Sequence, residues 1–371
     1  MNMKLSVVIV NYNVCHYIEQ CIYSVQKATC DMDCEIFVVD NHSADGSVDY
    51  LKQRFGSQIN LIECNHNGGF AKANNLAIRQ SKGEYVLLLN PDTFVGEDCL
   101  KMVVDFMDEH PKAGGSGVMM HNADGTVARE SRRGLPTPFV SLLKMLGFTQ
   151  HYYMSHLSWN EPGRIDVISG AFFMLRREAL NNVGFLDEDF FMYGEDIDLS
   201  YRLLKGGYEN WYVPANVVHY KGESTQKTSY RYVHVFYQAM LIFFRKHYGH
   251  LTFLVTLPIK LAIYFRAMMA LAMMVNWRLR KYMGLVNRVV SPIYVLKGGS
   301  AMKKSCEEIL TRKGLSYKKD FVDKNNVCIV YDADTLSYED IIRLAKENAG
   351  CILGTYSSKN HMIITPKEII K

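Results

Sequence analysis

The sequence predicts an α/β protein: a parallel sheet flanked by helices, then a basic apolar stretch, then a smaller α/β unit. Three observations carry this. Over residues 4–90, apolar β-branched runs alternate with segments of helical periodicity. The unusual polar residues, Asn11 to Asn13, Asp40, Asn65 to Gly69 and Asn90 to Asp92, all fall just beyond those runs. Parallel βαβ units gather ligands at that end of their strands. The alternation stops near residue 230 and resumes near 291.

The elements follow in order. "KLSVVIVNY" (4–12) reads as a first buried strand, and "NYN" stands where a secretory cleavage site would need small residues. "CHYIEQCIYSVQKA" (15–28) has helical spacing, and "CEIFVVDN" (34–41) is a second strand closed by the turn "HSADGS". "VDYLKQRF" (48–55) is helical, "INLIECN" (59–65) is a third strand, "GFAKANNLAIRQS" (69–81) is a helix opened by a Gly pair, and "EYVLLLN" (84–90) is a fourth strand. "DCLKMVVDFMDEH" (98–110) is a helix stopped by Pro111, and 121–163 reads as an inserted loop region. "IDVISGAFFMLRREAL" (165–180) runs from strand into helix, "GEDIDLSYRLLKGGY" (194–208) opens a helix with three acids at its positive end, and 210–225 is a strand followed by a polar loop.

From about residue 230 the character changes. "YRYVHVFYQAMLIFFRKHYG" (230–249) is an aromatic amphipathic helix. Residues 251–275 are long enough to span a bilayer, but Pro258, Lys260 and Arg266 interrupt them. Two in-plane or re-entrant helices fit those charges better than one spanning helix. A buried helix pair is the third reading, and the lack of acids counts against it. The last unit, "SPIYVLKGGSAMKKSCEEILTRKG" (291–314) and 326–357, repeats the strand–helix pattern. Its "KGGS" lacks the third glycine of a dinucleotide fingerprint and no ribose acid is evident, so a docking or structural module is the better reading. The expected units are 1–228, 229–285 and 286–371.

Composition bounds the function. With 371 residues, 48% hydrophobic and 22% charged, the chain can bury a sizeable core. Nine cysteines form no small-scaffold pattern; Cys30 and Cys34 lack a second pair for zinc, and reduced thiols in the cytoplasm are expected. The net charge of +4 hides an asymmetry: Ser224 to Cys306 contains no Asp or Glu but 13 Lys and Arg, and the remainder carries a net −9. An acidic body with a basic apolar segment does not suit nucleic acid. It suits an anionic membrane surface.

Each candidate polar residue has two readings. Asp40 is either a turn residue capping its own loop or a carboxylate that accepts hydrogen bonds from a base or ribose. Asp92, in "LLLNPDT", is equally a turn former. Of the acids at 195, 196 and 198, Asp198 is in register with Arg202 four residues on, which leaves Glu195 or Asp196 to face a cleft. His219, after a strand, is a structural histidine or a ligand.

Taken together, "SVVIVNYN", "VVDNHSADGS", "NGGFAKANN", "LLLNPDT", "ISGAFFMLRREAL", "GFLDEDFFMYGEDIDLSYRL" and "HYKGES" come in an order that resembles the inverting glycosyltransferases of family 2, with the GT-A fold. The resemblance covers roughly residues 4–225 and is nearest to the rhamnosyltransferase-like and galactofuranosyltransferase-like branch of bacterial surface-glycan enzymes. It implies a nucleoside-diphosphate sugar as donor and Mg²⁺ or Mn²⁺ as cofactor. The family's Asp-x-Asp metal motif is here Asn90-Pro91-Asp92, which makes Asp92 the metal ligand and Asn90 at most a neutral oxygen donor. His219 matches a further metal position. Asp40 reads the nucleobase, with Asn11 and Asn13 of "NYN" lining the same pocket, and Asn67, Gly68 and Gly69 let the backbone approach the nucleotide. Asp196 matches the catalytic base, with Glu195 the lesser candidate.

The residue types suit that chemistry. A divalent cation neutralises the diphosphate leaving group, and a carboxylate on the opposite face takes the acceptor's proton. The basic stripe and the family together imply a lipid-linked saccharide acceptor, met at the cytoplasmic face of the inner membrane. Two other readings compete: a GT-A scaffold that binds nucleotide sugar without turnover, which the missing first acid favours, and a dehydrogenase or epimerase built on the last unit.

Overall fold

The computed structural model describes residues 3–145, 147–220, 230–249, 261, 264, 268–269, 271–280, 282–283, 291–318 and 326–371. The expected polar loop after His219, most of the 251–275 stretch and residues 319–325 lie outside the described residues.

The first sheet has nine strands. β1 (Leu5–Asn11), β2 (Cys34–Asp40), β3 (Asn60–Glu63) and β4 (Tyr85–Leu89) alternate with α1 (Cys15–Ala28), α2 (Ser47–Phe55) and α3 (Phe70–Gln80). β5 (Thr93–Val95), α4 (Cys99–Glu109), β6 (Ala113–Asn122), α5 (Pro138–Met145), β7 (Gly163–Ile165), β8 (Phe172–Arg176), α6 (Arg177–Val183), α7 (Glu195–Lys205) and β9 (Glu209–His219) follow. The strand order is β3-β2-β1-β4-β8-β6-β9-β5, with β7 on β9. β1 to β4 are mutually parallel, whereas β8 runs antiparallel to β4 and β6, and β5 antiparallel to β9.

Period-two alternation explains the layers. Val7 and Ile9 of β1 pack with Ile18 of α1, Leu51 of α2 and Val103 of α4. Val8 and Val10 face the other way, with Ala77 of α3, Leu180 of α6 and Leu203 of α7. Both faces are therefore covered and the polar groups are left to the strand ends.

The 121–163 stretch is more regular than a loop, since it contains the end of β6, a 3-10 turn at Arg129–Ser131 and α5. β6 escapes sequence reading because "AGGSG" is poor in strand formers. Its glycines fit because a Cβ at Gly115 would come within 2.8 Å of Ile168 and Phe173.

α8 (Tyr230–His247) lays Ala239, Phe243 and Phe244 against Phe190, Ile197 and Val167. A helix over 271–280 (α9) then carries Leu271, Met273, Met274, Val275, Trp277 and Leu279, each 44–61% exposed. No helix among the described residues is long and apolar enough to cross a membrane.

The second sheet comprises β10 (Ile293–Lys297), β11 (Tyr317–Lys318), β12 (Val327–Asp332), β13 (Ile352–Ser357), β14 (Met362–Ile364) and β15 (Ile369–Ile370), with α10 (Ser300–Arg312) and α11 (Tyr338–Glu347). Its order is β11-β10-β12-β13-β14-β15. At its Gly turn a Cβ on Gly298 would meet Asp332 Cβ and Met302 Sδ at 2.9 Å each, so side chains fill the space a phosphate would need. Asp332 instead accepts a hydrogen bond from the Asp334 amide at 3.1 Å within its own turn.

Candidate active site

The carboxyl ends of β2, β1 and β4 and the start of β8 lie side by side at one end of the sheet. Asn11 and Asp40 are opposed in the β1–β2 register, both buried. Asn11 Nδ2 donates to Asp40 Oδ1 at 2.8 Å and to Ser43 Oγ at 3.1 Å, and the Ser43 amide donates to Asp40 Oδ2 at 2.9 Å. Asp40 is thus both the turn residue and a fixed carboxylate at the strand end. Asn11 Oδ1 is buried with no hydrogen-bond partner among the described residues. Asn13, at φ 57°, accepts from the Ala44 amide at 2.7 Å and holds the two loops together. Sequence reasoning missed Ser43, whose only signal was its place in a turn.

Asn67 is bonded beside the same corner: its Oδ1 accepts from Asn41 Nδ2 at 2.9 Å and from the Gly69 amide at 3.0 Å. The Gly68 amide donates to Asn41 Oδ1 at 3.0 Å. Gly69 has φ +90°, and a Cβ there would lie 2.5 Å from the Phe191 carbonyl oxygen, so no side chain fits.

The next corner is built by β5 and β9. Thr93 pairs with His219, which sets Asp92 beside the imidazole: His219 Nε2 lies 3.2 Å from Asp92 Oδ1 and 3.4 Å from Asn90 Nδ2. Three side chains named from the sequence therefore meet at one nitrogen. Among the described residues no cluster of three or more His, Cys, Asp or Glu forms a ready metal cage. A carboxylate and an imidazole aimed at each other nevertheless suit a hard divalent cation whose remaining ligands are diphosphate oxygens and water. The residues present fit such an ion.

The acids of α7 separate sharply. Asp198 is buried, bonded to Arg202 Nε at 2.8 Å and His247 Nε2 at 2.6 Å. Burial alone would raise its carboxyl, but His247 and Arg202 outweigh it and hold it below the ordinary range. Glu195 is buried with Oε2 unpartnered, and burial first, then the charge of Asp196, pushes its carboxyl up to about 8. Asp196 is engaged on both oxygens: Oδ2 accepts from Arg133 Nη2 and from the Gly170 amide at 3.1 Å, and Oδ1 from the Ile197 amide at 2.8 Å. Burial works against the Arg133 charge, yet Asp196 more than compensates and keeps the guanidinium charged. Sequence reasoning missed Arg133, which lies in the 121–163 stretch and carries no spacing signal.

Gly170 and Ala171 join the two halves. Gly170 donates to Asp196, while the Ala171 carbonyl accepts from the Asn90 amide at 3.0 Å. The acid of α7 and the strand-end turn of β4 are therefore held by adjacent residues.

The profile described as "Glycosyl transferase family 2" matches residues 6–184. The N-acetylglucosaminyl-diphospho-decaprenol L-rhamnosyltransferase of Mycobacterium tuberculosis (strain CDC 1551 / Oshkosh) is 30% identical over 264 residues, 66% of this chain and 84% of the relative. The poly-beta-1,6-N-acetyl-D-glucosamine synthase of Staphylococcus epidermidis is 25% identical over 181 residues, 48% of this chain and 41% of the relative. Among solved structures, S. aureus TarS 1-349 in complex with UDP-GlcNAc has a TM-score of 0.47 at 20% identity, covering 65% of each chain. GalNAc-T7 with UDP, GalNAc and Mn²⁺ has a TM-score of 0.49 at 18% identity, covering 64% of this chain and 47% of that one. The chain belongs to glycosyl transferase family 2 and is a glycosyltransferase of the GT-A fold.

Proposed function

We propose that this enzyme is a metal-dependent, inverting glycosyltransferase that moves a sugar from a nucleoside diphosphate to a lipid-linked saccharide in cell-surface polysaccharide synthesis. The observation that supports the reading is the Gly170–Ala171 bridge: the Gly170 amide donates to Asp196, and the Ala171 carbonyl accepts from the amide of Asn90, two residues before Asp92. Asp40, braced by Asn11, accepts from the nucleobase. The backbone at Asn67, Gly68 and Gly69 lets the nucleotide approach. Asp92 and His219 would hold Mg²⁺ or Mn²⁺ against the diphosphate, where the cation neutralises the leaving group's charge. Asp196 takes the proton of the acceptor hydroxyl, and attack from that side inverts the anomeric carbon. Arg133 holds the Asp196 carboxylate in a fixed orientation. Glu195, held neutral by burial, adds no second charge beside it.

A lipid-linked acceptor is supported by the diphospho-decaprenol substrate in the name of the mycobacterial relative. Attachment in the plane of an anionic membrane, at its cytoplasmic face, is supported by the exposed apolar side chains of 271–280 and the acid-free, basic run from Ser224 to Cys306.

The test is a thermal-shift screen of UDP-, dTDP- and GDP-sugars with and without Mn²⁺. A ligand bound only by the folded state at a hundred times its Kd stabilises by about 2.7 kcal/mol. One donor class should raise the midpoint strongly and only with the cation. No shift with any donor contradicts the proposal.

A further inference from the structure

The Asp92–His219 corner rests on a short ladder. β5 is three residues long and ends the sheet. An edge strand of that length is weakly held by its own ladder and needs cover from outside. Here α1 covers one side and α11 of the C-terminal unit adds to the cover.

Val14, Phe94, Val218 and Tyr220 each stand within two positions of a candidate site residue, and all four enter one core with Tyr338 and Leu353 of the C-terminal unit. Glu97, just past β5, accepts from the Tyr338 and Glu339 amides at 2.8 Å each and so caps α11. Phe94 and Tyr338 have ring centroids 5.3 Å apart.

Tyr220 is the junction. Its backbone amide donates to the Asp92 carbonyl at 2.9 Å and extends the β5–β9 ladder by one bond. Its hydroxyl donates to Gln20 Oε1 at 3.1 Å and lies 3.4 Å from Thr355 Oγ1 of β13. Gln20 Nε2 in turn donates to Thr355 Oγ1 at 3.0 Å, which closes a buried triangle between α1, β9 and β13. Tyr220 is therefore fixed at its backbone by the residue that carries the Asp92 carboxylate and at its hydroxyl by the second sheet.

We propose that Tyr220, anchored by Gln20 and by Thr355 of the C-terminal sheet, is a positioning residue that sets the Asp92–His219 spacing, which makes the C-terminal unit a working part of the donor site. This rests on the reading of Asp92 and His219 as the diphosphate–metal corner. The unit's own strand-end crevice is filled by Asp332 and Met302, so its contribution comes through the residues it holds.

The experiment measures binding of UDP, dTDP and GDP to the full chain by calorimetry, with and without Mn²⁺, and follows the tightest. Tyr220→Phe and Thr355→Val each remove one apex of the triangle and should weaken Mn²⁺-dependent binding about fivefold, the scale of one buried hydrogen bond. The double variant should be no worse than either single one, because the two act through one contact. Thr355→Ser keeps the hydroxyl and should restore wild-type affinity. Asn360→Ala breaks another bond of the same interface, 2.5 Å to Glu19 Oε2, and should leave affinity unchanged. Folded Tyr220→Phe and Thr355→Val proteins that bind like wild type would overturn the proposal. So would an equal loss in Asn360→Ala, which would reduce the interface to general support. A wild-type protein whose nucleotide affinity ignores Mn²⁺ would overturn the corner reading itself, a distinguishable result.

Discussion

The chain contains two mixed sheets, each with a parallel core, that put opposite things at their parallel strand ends. In the first, Asn11 pairs with Asp40 and Asn90 and Asp92 meet His219, and Asn11 Oδ1 is left without a hydrogen-bond partner among the described residues. In the second, Gly298 closes against Asp332, and Asp332 bonds within its own turn. Parallel strands joined by helices thus end in open polar groups in one place and in a closed turn in the other. Topology brings polar residues to an edge; whether they are satisfied by one another or left for a ligand decides what the edge does.

Substitutions at the two edges should differ in kind. Asp196→Asn should have the largest effect, lowering transfer by about a hundredfold to ten-thousandfold with donor affinity nearly intact. Near wild-type turnover would show that another group takes the proton. Gly298→Ala, in the second sheet, should cost about 1–3 kcal/mol through overpacking against Asp332 and Met302. It should leave nucleotide affinity per folded molecule unchanged, read from denaturation and calorimetry on the same sample.

The smallest effect concerns Glu195. Its folded carboxyl is raised from an ordinary 4.5 to about 8, by burial and then by Asp196. The folded state keeps a proton that the unfolded chain has released, so this contribution to stability is full below the unfolded value and is lost as pH rises through about 8. Glu195→Gln does not titrate, and its denaturation midpoint should fall less than that of wild type between pH 5 and pH 8. Parallel profiles would mean that Glu195 is already ionised in the folded protein.

Much of the first unit was legible in the sequence because its signals are local. Strand alternation, turn residues at strand ends and the Asp198–Arg202 spacing each involve neighbours in the chain, and the helix over 15–28 is found with those bounds. What escaped is nonlocal. Arg133 meets Asp196 across 63 residues, and nothing around "SRRG" marks that partner. β6 hid because packing against Ile168 and Phe173 selects glycine against strand propensity. The second unit was readable as strands and helices, but its attachment through Glu97, Tyr220 and Thr355 joins residues from both ends of the chain.

The proposed role of Asp92 and His219 is to bind the donor diphosphate together with a divalent cation. Calorimetric titration of the full chain with its preferred nucleoside diphosphate, with and without Mn²⁺, tests it most directly. The prediction is a gain in affinity of at least about tenfold, 1.4 kcal/mol, on adding Mn²⁺, lost in Asp92→Ala. Wild-type affinity that is the same with and without the cation would contradict it.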